Sequence, residues 1–100
     1  MEVEDLKNKA NEFLDLLYKK FNCDHNSTNT VLHLAEEVGE IAREINKPNI
    51  RKNEQIDMEN LKEQIGDVLI LVMRLAKIHD INLEKTVQNK IKKIKEIHNL

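Results

Sequence analysis

Punctuation is almost absent from this chain: its 100 residues hold two glycines and one proline. A sheet of many short strands needs frequent turns, and turns draw heavily on Gly and Pro. A few long helices joined by short loops suit such a sequence better. The apolar residues agree. In residues 2–21 Val3, Leu6, Ala10, Phe13, Leu14, Leu17 and Phe21 recur at three- and four-residue spacing, the period of a helix.

The rest of the chain divides in the same way. Asn22–Thr28 (NCDHNST) is a loop by composition, and Ser27 or Thr28 is placed to cap a second helix. That helix carries Val31, Leu34, Val38, Ile41 and Ile45 as its apolar stripe and is expected to stop before Pro48. Residues 47–57 are polar and read as the longest connection. Asp57 is a suitable cap for a third helix running to about His79, with Leu61, Ile65, Val68, Val72 and Leu75 facing inward. Asn82 then caps a fourth, with Leu83, Val87, Ile91 and Ile94 as its stripe. The expectation is a single all-α domain over residues 1–100, a four-helix bundle with no internal repeat.

The run VLILVM (residues 68–73) is apolar around most of a helix circumference. In so small a chain the extra cover is expected from another copy, as a homodimer or a dimer of dimers. A net charge of −2 recommends neither nucleic acid nor membrane as a partner. No apolar run reaches the ~18 residues of a spanning helix, and MEVEDLKNKA is no signal peptide. The lone Cys23 suits a reducing cytoplasm. The basic segment IKKIKEIH lacks interleaved aromatics and reads as a solvated face.

The chemistry lies in HLAEEVGEIARE (residues 33–44) and EQIGDVLILV (residues 63–72). At 100° per residue His33, Glu37, Glu40 and Glu44 form one stripe on the second helix, with Glu36 beside Glu40. On the third, Asp67 edges the apolar arc, Gln64 lies further into it and Glu63 is more exposed. Two carboxylates ~5 Å apart repel by roughly 3 kcal/mol at an effective dielectric of 20, against a few tenths at a solvated surface. The plainer reading makes Glu36, Glu40 and Glu44 a solvated face, with Glu40 paired to Arg43. It does not serve Glu37 and Asp67, which border the core without a Lys or Arg on their stripes to neutralise both. A Mg²⁺ or Mn²⁺ ion, which prefers carboxylate oxygens, would. Gly39 and Gly66, each beside these acids, suggest that two backbones approach closely there.

With EEVGE (residues 36–40) and IGD (residues 65–67), the chain resembles the MazG-like all-α nucleoside triphosphate pyrophosphohydrolases, whose pattern is EExxE followed by ExxD on the next core helix. The resemblance implies Mg²⁺-dependent hydrolysis of a nucleoside triphosphate to the monophosphate and pyrophosphate. By position Glu37, Glu40 and Asp67 match the family's metal ligands, and Glu36 matches the acid that takes a proton from the attacking water. Lys90 matches a lysine that contacts phosphates, with Lys93 one turn on. In the family the loop before the EExxE helix helps line the base pocket, so the resemblance implies substrate contact by His25 or Asn29. Two positions depart: Gln64 stands where ExxD has Glu, a neutral amide with less to offer a cation, for which Glu63 could substitute. The family Asn that follows the lysine is also missing, with Ile94 near its place. Two alternatives stay open. One is a catalytically degenerate helical module that dimerises and binds nucleotide. The other is a phosphoribosyl-ATP pyrophosphatase-like enzyme, from which the EEVGE wording leans away.

Overall fold

Short polar side chains start three of the four helices. In the computed structural model, which describes residues 2–100, these are α1 (Val3–Phe21), α2 (Ser27–Ile50), α3 (Met58–Ile78) and α4 (Leu83–His98). Asp57 accepts from the Asn60 amide at 3.1 Å and Asn82 from the Lys85 amide at 3.0 Å, both as expected. The cap of α2 is Asn26, which accepts from the Asn29 amide at 2.9 Å, and not Ser27 or Thr28. α1 ends at Asn22 and α4 at Asn99, each in the left-handed region that closes a helix end.

α2 also runs through Pro48 to Ile50, past its expected end. Pro48 sits in the last turn, where its missing N–H forfeits a single bond, and the Arg51 amide still donates to the Lys47 carbonyl at 2.9 Å. A clamp on that turn comes from Lys47, whose Nζ lies 2.8 Å from a Glu44 carboxylate oxygen. The connection to α3 shrinks accordingly to residues 51–57.

α3 is the central helix, with α2 against one side and α1 against another, while α4 packs on α1. Leu14, Leu71, Met73 and Ala76 are the buried apolar residues. Buried polar groups tie the seams: Asn11 donates to the Met73 carbonyl at 3.1 Å and accepts from Arg74 at 3.2 Å. Arg74 also pairs with Asp15 at 2.8 Å. At the other end Glu4 accepts from the Leu83 amide and Lys7 donates to the Ile81 carbonyl, each at 3.1 Å.

The four helices do not close over their apolar stripes within one chain. α4 has no buried residue, and Val87 and Ile91 are 54% and 50% exposed. Phe13, Val38, Ile45 and Ile65, expected inside, are exposed as well. The accessible surface is 7882 Å², roughly 2,000 Å² above the ~5,900 Å² usual for this mass. The radius of gyration, 16.5 Å, likewise exceeds the ~13 Å of a compact chain of this length.

The glycines correct another expectation. A Cβ added at Gly39 or Gly66 would meet nothing within 4 Å, so neither marks a close approach of backbones in this chain. Both therefore act only by loosening their helices. Gly39→Ala is expected to stabilise the protein by about 1 kcal/mol, read as a higher urea midpoint at unchanged m-value.

Candidate metal and nucleotide site

Helices α2 and α3 run antiparallel in a constant register, and each step along α2 is matched by an equal step back along α3. The first pair is Glu44 with Asn60, whose Nδ2 donates to Glu44 Oε1 at 2.7 Å. One turn on, Glu40 and Gln64 line a cavity of about 230 Å³ together with Arg43 and Lys47. The next pair, Glu37 and Asp67, lines a second cavity of about 280 Å³. The i, i+3 repeat legible in both motifs becomes a row of facing polar pairs.

Glu44 sets that register. Its side chain is 2% exposed, not part of a solvated face. One oxygen accepts from Lys47 and Asn60, and the other from the backbone N–H of Asp57, the cap of α3, at 3.1 Å. The Lys47 hydrogen bond, helped by those from Asn60 and Asp57, holds the Glu44 carboxyl down at a pKa of about 2. Lys47 is raised in return by the same contact.

The Glu37–Asp67 cavity is mostly apolar, with Phe13, Leu17 and Tyr18 from α1 and Ile70 and Leu71 from α3 beneath the two acids. His33 Nε2 lies 3.1 Å from Glu37 Oε1, and the Glu37 side chain is 14% exposed. No Lys or Arg lines this cavity. At its α1 side His25 stacks on Tyr18 with ring centroids 4.1 Å apart, and His33 meets His25 edge-on at 5.9 Å. Burial, reinforced by His33 and Arg74, pushes the His25 pKa below its usual value and favours the neutral ring. His25 Nδ1 is 3.0 Å from the hydroxyl of the buried Thr30.

The other expected site residues stand apart from this cavity. Glu36 and Glu63 are exposed and line neither cavity. Asn29 spends its amide on the loop itself, donating to the Asp24 carbonyl at 3.0 Å. Lys90 and Lys93 line a groove built from α4 residues alone. Among the described residues, no three His, Cys, Asp or Glu side chains gather closely enough to hold a metal unaided. His79, which reads as unremarkable in the sequence, ties the C-terminal end of α3 to the start of α2 through Ser27 Oγ at 2.7 Å. Two further participants went unread. Asn60 is one turn ahead of Gln64 and so detectable by spacing, whereas the place of Tyr18 depends on how α1 docks.

Residues 25–99 match the MazG nucleotide pyrophosphohydrolase domain. The chain belongs to that family. The resemblance carried by EEVGE and IGD therefore holds at family level, and the MazG match spans α2 to α4 while leaving α1 outside it. Among curated proteins, the chain is similar to the uncharacterized protein YpjD of Bacillus subtilis (strain 168), 43% identical over 54 residues that cover 52% of this chain and 49% of the relative. The chain thus spans about half the length of the curated relative it matches. No solved structure matches it. Among the described residues, no helix is long and apolar enough to cross a membrane.

The grip of Glu44 on α3 carries a pH signature. Folding lowers its pKa from 4.5 to about 2, so the stabilisation is fully present above about pH 4.5 and is lost as pH falls towards 2. Acid titration of urea stability is expected to show a decline across that window, and Glu44→Gln should flatten it while lowering stability at neutral pH.

Proposed function

We propose that the protein is a Mg²⁺-dependent nucleoside triphosphate pyrophosphohydrolase, releasing pyrophosphate and a monophosphate in nucleotide housekeeping. The observation that carries this reading is that Glu37 and the exposed Asp67 line one cavity over an apolar floor, with no Lys or Arg in the lining. Two such carboxylates call for a cation, and Mg²⁺ is commonly held by one or two carboxylates with waters and substrate phosphates. Glu37 and Asp67 would hold it, and Glu40 and Gln64 lie one turn away. The buried and unpartnered Gln64 Oε1 shows that this stretch of the seam has acceptor capacity to spare.

A bound Mg²⁺ would supply charge compensation for the phosphate chain and lower the pKa of water at the site. His33 holds Glu37 in one orientation through the 3.1 Å contact. Glu36, adjacent in sequence and open to solvent, accepts the proton of the water that attacks the α-phosphorus, with pyrophosphate leaving. The apolar floor and the Tyr18–His25 stack shelter the nucleoside and exclude water from the phosphates, with Asn29 in the first turn of α2.

The working form is a homodimer or a dimer of dimers. The excess accessible surface and the open stripe of α4 support a second copy as the cover, since a standard interface buries about 800 Å² per partner. All of this suits a cytoplasmic enzyme that needs neither membrane nor nucleic acid. A degenerate, nucleotide-binding module is the second reading, favoured by the neutral Gln64.

Mg²⁺ or Mn²⁺ at a hundredfold excess over its Kd should add about 2.7 kcal/mol, a rise in Tm on the order of 10 °C. Glu37→Gln or Asp67→Asn should abolish the shift. An array of standard and modified triphosphates, with phosphoribosyl-ATP included, should then reveal pyrophosphate release. Metal binding without turnover of any of them would establish the module instead. Light scattering should give a mass of at least two chains, and Val87→Asp with Ile91→Asp should yield a smaller, less stable species. A monomeric wild-type protein at micromolar concentration would refute the assembly.

A further inference from the structure

On the nucleotide reading above, we infer that Arg74 is a positioning residue of the candidate site. Its guanidinium fixes the Tyr18 ring in the cavity lining and, through that ring, the stacked His25.

Arg74 lies in α3 beside Met73, Leu75 and Ala76, and its side chain is only 15% exposed. For packing alone it is a poor choice, because its Nε is buried without a hydrogen-bond partner. An ion pair is not reason enough either. Asp15, its carboxylate partner at 2.8 Å, has a side chain 59% exposed, and solvent weakens such pairs. What the guanidinium has besides is a place over the Tyr18 ring, with Cζ 5.4 Å from the centroid, within reach of a cation–π contact. Asn11 fixes it there. This buried side chain is tied to α3 at the Met73 carbonyl and accepts from Arg74 Nη1 at 3.2 Å.

Tyr18 is near the end of α1, beside the loop that leads to α2, and it lines the Glu37–Asp67 cavity. Its ring lies 4.1 Å from that of His25 and nearly parallel to it, at 14°. His25 is thus held at Nδ1 by the buried Thr30 and across its face by Tyr18. Of these two supports, only Tyr18 depends on how α1 docks. Arg74 carries the position of α3 to that ring, and its partners Asn11 and Tyr18 both lie outside the matched residues 25–99. Burial is the main cause of the lowered His25 pKa, and the charges of His33 and Arg74 add to it.

Nuclear magnetic resonance of the full-length protein reads the stack. The carbon-bound ring protons of His25, identified by their absence in His25→Gln, should be shifted upfield by the Tyr18 ring. Arg74→Met should move them to where Tyr18→Leu places them. Asp15→Ala removes the ion pair but leaves the guanidinium and Asn11, so it should not move them. With the best hydrolysed of the four standard deoxynucleoside triphosphates, Arg74→Met should raise KM on the order of fivefold and leave kcat within about twofold. Adding Arg74→Met to Tyr18→Leu should worsen nothing further, since Arg74 acts through that ring. Should Arg74→Met fail to fold, Arg74→Gln, which can still donate to Asn11, takes its place. Unmoved His25 resonances would overturn the inference, as would losses that multiply in the double variant or fall on kcat. Asp15→Ala reproducing the Arg74→Met changes would also overturn it and make Arg74 a plain ion-pair residue. No turnover of any triphosphate by the wild-type protein would instead overturn the nucleotide reading, and the His25 resonances would still decide what Arg74 holds.

Discussion

Everything at the candidate site depends on how α3 is set against α2, and the contact that sets it is a buried carboxylate. Glu44 reaches across the seam to the first turn of α3, where it takes the Asp57 amide and the Asn60 side chain while Lys47 neutralises it. A buried charge is tolerable only when paired and hydrogen-bonded, and Glu44 has both kinds of partner. Apolar packing between two helices tolerates sliding. A carboxylate with named donors does not, so the contact fixes the register along the whole pair. From it follow Glu40 opposite Gln64 and Glu37 opposite Asp67.

The same register separates two electrostatic environments that look alike in sequence. Both pairs arise from one i, i+3 spacing, yet Arg43 and Lys47 accompany only the first. The second is backed by α1, whose aromatic and aliphatic side chains line one side of it, while Asp67 stays exposed. The cavity thus includes α1, although the family match begins after it. The Tyr18–His25 stack and its buried Thr30 contact hold the intervening loop against the layer.

Much of this was legible in advance. Four helices with caps at Asp57 and Asn82 follow from apolar period and side-chain chemistry, both local properties. So does the acid stripe on the second helix. Pro48 misled because the rule against proline in helices weakens in the last turn, and here the Glu44–Lys47 clamp holds that turn. Gly39 and Gly66 misled because small residues only permit close packing, and nothing in this chain takes up the permission. The apolar stripes were located correctly along the helices, but many of their members are exposed, since periodicity identifies a face and not what covers it.

By itself the sequence determined the helices, the family and the identity of the acids, because these depend on composition, spacing and motif. Only the tertiary structure decided that Glu44 is a buried anchor instead of a surface acid. It alone assigned Arg43 and Lys47 to one carboxylate pair and left the other without them. The physical reason is that charge balance is a property of a cavity, and a cavity is assembled from three helices whose mutual register no local pattern encodes.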